Sequence, residues 1–186
     1  DNTDNPITGP KPLKELDFNT YGGLYRDVHL EISNRIYITD PLLGDEAAGG
    51  WIFVTYPEVS TERARIRVKT NVRNEEASLR NIIVRHELLH DGLSVASASS
   101  GDHGLQPGED GDIEMEILLE KPLLWSPRSP NLYRLVTSVF SGGELLDEET
   151  TRVGIRRFEI TAKRFAVNGQ EMFLRGVNRH QEYPYI

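Results

Sequence analysis

A strict two-residue alternation between Ala64 and Arg73 constrains the fold of this chain more than any other feature. Small or branched side chains (Ala, Ile, Val, Thr, Val) occupy the even positions, and Arg, Lys or Asn occupy the odd positions. Successive side chains of a β-strand point to opposite faces of the sheet. The segment therefore predicts a strand with one buried face and one cationic, solvated face.

Other short runs predict the remaining strands, and no segment shows an apolar stripe of helical period. Roughly seven strands separated by Gly, Pro, Asn and Asp predict an all-β fold, an antiparallel β-sandwich of immunoglobulin type, with a small barrel as the alternative. The polar segment Ser97–Asp112 is predicted to be a flexible loop. The other predicted strands are Leu24–Ile32 (with Val28, Leu30 and Ile32 on its buried face), Arg35–Thr39, Trp51–Tyr56, Ile82–Leu89, Ile113–Leu119, Leu132–Phe140 and Glu149–Ile160.

The C-terminal region predicts a β-hairpin followed by a polar segment. Asn168 and Gly169 lie between the apolar runs Phe165–Val167 and Met172–Leu174, and an Asn-Gly pair in this setting is a strong hairpin signal. Residues 175–186 then combine Arg, Asn, His, Glu and Tyr with few apolar side chains. We interpret this segment as the opening of a further domain that continues beyond Ile186.

Composition excludes several classes of function. The net charge of −8 argues against a nucleic-acid partner, because phosphate binding needs clustered Lys and Arg. No apolar run approaches the roughly 18 residues that a membrane span needs, so no membrane partner is expected. The absence of Cys excludes disulfides and thiolate metal sites. The compartment stays undecided, with a periplasmic or extracellular location preferred over a cytoplasmic one for the parent protein.

Several residues that could carry chemistry have a simpler structural explanation. His86 and His90 have the spacing of zinc ligands on a helix, but on a strand they would lie about 13 Å apart, too far for one metal ion. Ser126 and Ser129 lie among prolines and are interpreted as turn residues rather than nucleophiles. We predict no metal site in this chain.

Two segments are candidates for binding. Asp17–Tyr21 combines a carboxylate, an amide, a hydroxyl and an aromatic ring, which suits a sugar, although Asp and Asn often only satisfy turn backbone. In the terminal segment, His180 could titrate near neutral pH and Arg179 could fix a carboxylate or a pair of hydroxyls. An exposed polar tail is the other reading of that segment, and composition leaves both open.

Four motifs, taken in order, resemble those of glycoside hydrolase family 2, which contains β-galactosidases, β-glucuronidases and β-mannosidases. The resemblance covers the chain from Asp17 to Pro184 and rests on the order and spacing of the motifs. They are DFNTYGGLYRDV (17–28), LLWSPRSPNLYRL (123–135), VGIRRFEI (153–160) and VNGQEMFLRGVNRH (167–180).

The resemblance implies three regions. Residues 1–32 would be the C-terminal part of a jelly-roll sugar-binding domain, and residues 33–160 an immunoglobulin-like sandwich. Residues 161–186 would be the N-terminal hairpin and the start of a (β/α)8 catalytic barrel. This agrees with the all-β prediction made from the strand pattern.

The resemblance also implies which residues bind substrate. Asp17 and His180 match family positions that contact the sugar at the cleavage site, and Asn178 and Arg179 complete the Asn-Arg-His motif that shapes this subsite. Many members follow the His with Glu, whereas this chain has Gln181 before Glu182, so no metal-ligand role is carried over. No cofactor is implied beyond a possible metal ion in the full-length enzyme.

The activity implied is retaining hydrolysis of β-galactosides or related sugars, by two carboxyl groups about 5–5.5 Å apart on the barrel. No catalytic residue is expected within this chain, which is predicted to be inactive alone, whereas the parent enzyme would bind carbohydrate and could be an oligomer. The alternative is a stand-alone immunoglobulin-like carbohydrate-binding or adhesion module. Such a module would bind sugar without the terminal segment.

Overall fold

A computed structural model describes residues 27–28, 30, 32–40 and 51–178, which form antiparallel sheets and no helix. The all-β prediction is confirmed, and no described helix could span a membrane. Residues Ser33–Leu174 form one compact unit. Its strands are β1 (Ile36–Ile38), β2 (Ile52–Val59), β3 (Arg63–Asn74), β4 (Arg80–His90), β5 (Leu93–Ser99), β6 (His103–Leu105), β7 (Asp110–Glu120), β8 (Trp125–Ser126), β9 (Ser129–Pro130), β10 (Tyr133–Ser141), β11 (Glu144–Val153), β12 (Phe158–Ile160), β13 (Phe165–Val167) and β14 (Gln170–Glu171).

The first sheet is built around β3, the strand predicted from the alternating segment. β7 pairs with β3 over nearly its whole length, while β2 and β1 pair with successive parts of it. Ala64, Ile66 and Val68 are fully buried, as the alternation predicts. The outer face differs from the predicted cationic face, because acidic residues of β2 and β7 pair with its cations. Opposite charges facing each other across strands stabilise a sheet, and this outer face is a ladder of ion pairs.

The second sheet has the strand order β11–β10–β4–β5, and β6 pairs with the first residues of β4. A tight turn at Asp91-Gly92 joins β4 to β5, and both of its residues have positive φ. The two sheets bury their inner faces in one core, which makes a β-sandwich. The buried aliphatic side chains of this sandwich core are Ile36, Ile38, Ile52, Ala64, Ile66, Val68, Val72, Ile82, Val84, Leu88, Leu105, Ile113, Ile117, Leu119, Leu135, Val139, Val153 and Ile155.

A three-stranded sheet, β12–β13–β14, follows the sandwich. The predicted Asn168-Gly169 hairpin is present, with φ of 52° and 79° at the turn, as a type I′ turn requires. Its second strand differs from the prediction, because it comprises Gln170 and Glu171 instead of Met172–Leu174. Two-residue turns of this type pair the residues directly beside them, so pairing begins at once after Gly169.

The structure corrects three further expectations from the sequence. The predicted loop Ser97–Asp112 is largely sheet, because β5 extends to Ser99, β6 covers His103–Leu105 and β7 begins at Asp110. The predicted strand Glu149–Ile160 is two strands, interrupted after Val153. No described residue of Leu24–Ile32 is in a strand, and the expected buried face is exposed: Val28 73%, Leu30 88% and Ile32 88%. A strand buries one face only where a second layer packs on it.

One side chain closes an edge of the first sheet. The backbone N–H of Ile38, on the short strand β1, donates to Asp147 Oδ2 at 2.7 Å. Asp147 lies on β11 of the other sheet, beside an irregularity in the β10–β11 pairing. The carboxylate therefore satisfies a donor that would otherwise lack a strand partner.

Candidate functional site

The structure tests little of the predicted sugar-binding set. Asp17, Arg179 and His180 lie outside the described residues. Asn178 is described, and it is exposed and outside any strand. Their proximity to one another therefore stays a prediction. The described part of the chain does, however, bring three of the four sequence motifs together.

The motif at 123–135 forms a corner closed by its own hydrogen bonds. The Leu123 N–H donates to the Tyr133 hydroxyl at 2.8 Å, and Asn131 Nδ2 donates to the Leu124 carbonyl at 3.0 Å. The Ser129 N–H donates to Ser126 Oγ at 3.1 Å, so these serines serve the turn, as interpreted from the sequence. This internal bonding fixes the backbone on either side of Trp125.

The motif at 153–160 packs directly on Trp125. The backbone N–H of Trp125 donates to the Ile155 carbonyl at 2.8 Å. A Cβ added at Gly154 would lie 3.0 Å from Trp125 Cδ1 and Cγ, so the indole occupies the space that a side chain would need. Arg156 places its guanidinium carbon 5.1 Å from the ring centroids of both Trp125 and Phe158. A cation between two ring faces is attracted by both rings.

The hairpin of the motif at 167–180 joins the same cluster through Asn168. Its Nδ2 donates to the Trp125 carbonyl at 3.0 Å, and its Oδ1 accepts from the Arg157 N–H at 2.9 Å. The Asn168 N–H also donates to the Arg157 carbonyl at 2.9 Å. The rings of Phe158 and Phe165 stack 5.7 Å apart. We call Trp125, Gly154, Arg156, Phe158 and Asn168 the motif junction.

The residues of the motif junction can position other parts of the chain but are not equipped to react with a substrate. None of its members is a nucleophile paired with a base, which is the arrangement that covalent catalysis requires. Among the described residues, no group of three or more His, Asp or Glu side chains could hold a metal ion. Arg156 donates to the Gly154 carbonyl at 2.7 Å, and its charge opposes the effect of burial, which raises the pKa of Tyr56. The junction can hold the three-stranded sheet in a fixed orientation on the sandwich.

Among the described residues, the largest pKa shift is that of His86, which lies in the sandwich core and not in the motif junction. Burial lowers the pKa of His86 to about 4. Its Nδ1 lies 3.0 Å from Thr137 Oγ1 on β10, and its Nε2 has no hydrogen-bond partner among the described residues. His90, the other member of the rejected zinc pair, packs its ring against Tyr133 at 5.1 Å. Both histidines, which lie on β4, therefore make structural contacts with residues of β10.

The sequence model of the family described as "Glycosyl hydrolases family 2" matches residues 51–156, more than half of the chain. A β-glucuronidase of Bacteroides fragilis is 34% identical over 168 residues, which are 89% of this chain and 23% of that protein. The chain belongs to glycoside hydrolase family 2. A β-galactosidase of Thermoanaerobacter pseudethanolicus is 29% identical, over 92% of this chain and 21% of that protein.

Solved structures of family 2 enzymes have the same fold. A Bacteroides uniformis β-glucuronidase superimposes with a TM-score of 0.76 at 28% identity, over 95% of this chain and 20% of that one. The chain thus spans about a fifth of the length of the family 2 proteins it matches.

Sequence reasoning found the family 2 motifs and missed the contacts among them. The Asn-Gly pair predicted a turn, and nothing local indicated that Asn168 would bind the backbone of Trp125, 43 residues earlier. Arg156 was not singled out. The available signal was the co-occurrence of a Gly, a cation and an aromatic residue in VGIRRF with a Trp at a turn, a combination that suits close packing against a ring.

Proposed function

We propose that this chain belongs to a retaining β-glycosidase that acts on β-galactosides or β-glucuronides, and that it forms the accessory part of that enzyme. In this proposal, residues 1–32 complete a jelly-roll domain and residues 33–160 form an immunoglobulin-like sandwich. Residues 161–186 lead into a (β/α)8 barrel, which carries the nucleophile and the acid/base carboxyl groups. Such enzymes need two carboxyl groups about 5–5.5 Å apart.

The observation that carries the proposal is the motif junction. It fixes β12–β14 on the sandwich through hydrogen bonds of 2.8–3.0 Å to the backbone of Trp125 and through a guanidinium between two rings. The chain reaches the Asn178-Arg179-His180 motif only seven residues after β14 ends at Glu171. A rigid attachment at this point suits a chain that must deliver binding residues to a barrel within the small tolerance that catalysis allows.

In the proposed site, Asp17 and His180 contact the sugar at the cleavage position, and Asn178 and Arg179 shape the same subsite. A carboxylate accepts hydrogen bonds from sugar hydroxyls, and an imidazole can donate to an oxygen on which charge develops. These residues bind and orient the substrate, and the bond-breaking steps belong to the barrel. The names of the relatives support both galactosides and glucuronides as substrates.

The test compares this 186-residue chain with the same protein extended by its natural upstream and downstream sequence, so that the jelly roll and the barrel of the proposal are both complete. We expect the extended protein to hydrolyse nitrophenyl β-galactoside or β-glucuronide, and the 186-residue chain to hydrolyse neither. Turnover by the short chain, or the lack of turnover by a folded extended protein with either substrate, would overturn the proposal.

Single substitutions in the extended protein test the subsite. Asp17→Ala and His180→Ala should each lower kcat/KM at least about tenfold, because each removes a hydrogen bond to a charged group. Glu62→Gln, in the exposed turn between β2 and β3, is the matched control and should leave kcat/KM unchanged. Wild-type kinetics in either subsite variant would remove that residue from the site.

A further inference from the structure

The outer face of the first sheet contains a shallow depression of about 290 Å³, lined by Phe53, Thr55, Arg67, Lys69 and Glu114. Strand register explains why these residues meet. Phe53 is opposite Lys69, and Lys69 is opposite Glu114, so the three side chains form one row across β2, β3 and β7. Thr55 is opposite Arg67 in the next row on the same face.

Phe53 is the aromatic residue that lines the depression. It is 43% exposed, in a row whose other members are an ammonium and a carboxylate. An exposed phenyl ring lacks the stabilisation that burial provides. When its neighbours are polar side chains, the ring stays available to a ligand that has an apolar side. No described aromatic ring stacks on it.

The polar groups around Phe53 are held in place by ion pairs. Arg67 lies 3.4 Å from Glu114 and 2.9 Å from Glu116, and Lys69 lies 2.8 Å from Asp112. The hydrogen bond from Arg67 lowers the pKa of Glu116, so that carboxylate is ionised at neutral pH. Both cations therefore face carboxylates, and the depression carries no excess positive charge for an anionic ligand. Side chains already fixed lose little entropy when a ligand binds.

We propose that this depression is an accessory sugar-binding site that takes one neutral hexopyranose unit. The apolar C–H face of the sugar would pack on Phe53, and its hydroxyls would bond to Arg67, Lys69, Glu114 and Thr55. Each sugar hydroxyl both donates and accepts, which matches a site that offers N–H donors, a carboxylate acceptor and a hydroxyl. The volume is near the lower end for ligand sites, so one ring fits and binding is weak.

This site is independent of the proposed hydrolase function. It uses none of Asp17, Asn178, Arg179 or His180, and all of its residues lie on β2, β3 and β7 of the sandwich. Activity of the extended protein decides the hydrolase proposal, whereas binding to the 186-residue chain and its variants decides this one. The two proposals can therefore fail separately.

The test is an NMR titration of the ¹⁵N-labelled 186-residue chain with methyl β-galactopyranoside, and in parallel with methyl β-glucuronide. We expect saturable amide shifts at Phe53, Lys69 and Glu114 with the neutral sugar, and weaker binding of the charged one. Phe53→Ala should weaken binding at these residues about tenfold by removing the ring contact. Leu118→Ala is the matched control, because Leu118 is on the same face, is 54% exposed and does not line the depression.

Unchanged binding in Leu118→Ala together with the loss in Phe53→Ala would support the site. The proposal would be overturned by a lack of saturable shifts at the three residues, by equal affinity in Phe53→Ala, or by tighter binding of the glucuronide than of the galactoside. Shifts that are confined to the terminal segment 175–186 would also count against it.

Discussion

The sandwich core and the motif junction hold their parts of the chain together by different means. The core consists almost entirely of aliphatic side chains from two sheets, many of them with no exposed surface. The junction buries little aliphatic surface and depends on specific hydrogen bonds to Trp125, on Arg156 between two rings and on the missing side chain at Gly154.

This difference explains why the motifs of the family lie where they do. Aliphatic core residues can replace one another when volume and pattern are kept. An Asn whose side chain makes two hydrogen bonds to backbone groups, or a Gly under an indole ring, has no equivalent among the other residue types. The sandwich is therefore recognisable by its pattern, and the junction by its sequence.

The largest effect on stability should come from the core. Leu135→Ala removes a fully buried side chain from β10 and should lower the free energy of unfolding by about 2–5 kcal/mol. The exposed Leu118→Ala should change it by less than about 0.5 kcal/mol. Urea unfolding followed by circular dichroism measures both. If Leu135→Ala cost no more than the junction substitutions below, the contrast between the two regions would disappear.

Acid should weaken the core through His86. Its pKa is about 4 in the folded protein and 6.5 when unfolded. The unfolded chain therefore takes up a proton first as pH falls, and stability is lost from pH 6.5 down to about 4, where the loss levels off. The separation of the two pKa values corresponds to about 3 kcal/mol.

The variant His86→Leu isolates this contribution from that of the carboxylates. The directly opposite residues on the neighbouring strands, Thr137 and Ala98, carry no charge. We expect the stability difference between wild type and His86→Leu to change by about 3 kcal/mol between neutral pH and pH 4, with wild type losing more. A difference that did not depend on pH would show that His86 does not titrate in this way.

In the junction, Gly154→Ala should have an intermediate effect. The new Cβ would lie 3.0 Å from the Trp125 ring, so the indole or the strand must move, at about 1–3 kcal/mol. Gly101→Ala is the matched control, because a Cβ there meets nothing within 4 Å. A loss of stability in both variants alike would point to backbone effects of the substitution and not to contact with Trp125.

The smallest expected effect is that of Arg156→Met. The methionine keeps the length of the side chain but loses the cation between Trp125 and Phe158 and the hydrogen bond to the Gly154 carbonyl, which together should cost about 1–2 kcal/mol. The loss should be local, with faster amide hydrogen exchange in Phe165–Val167 and no change in β10. Arg134→Met, at an exposed position of β10, should alter amide exchange in neither Phe165–Val167 nor β10. If Arg156→Met accelerated exchange equally in both regions, the junction and the core would not be separate units of stability.

The sequence predicted those parts of the fold in which one face of a strand is buried and the other is charged. β3 is the clearest case, because Ala64 to Arg73 alternates without interruption. β5 and β6 were missed because their residues are mostly Ser, Ala and Gly, which carry no hydrophobic period. The break before β12 was missed because it depends on Trp125 packing on Gly154, a contact between distant parts of the chain.

For the candidate site, the sequence identified the motifs, and the structure showed what three of them do. The hairpin turn at Asn168 was predicted from a local dipeptide, whereas its bond to Trp125 required the folded chain. The substrate role of Asp17, Asn178, Arg179 and His180 is still the prediction made from the family resemblance.

The hydrogen bond from Ile38 to Asp147 has a consequence for how molecules of this protein meet one another. An open sheet edge is a template on which a strand of another molecule can add. With its N–H already donating to a carboxylate at 2.7 Å, β1 lacks one of the donors that an incoming strand would use. A single acidic side chain from the opposite layer thus makes the addition of a foreign strand to β1 less favourable, and β1 is only three residues long.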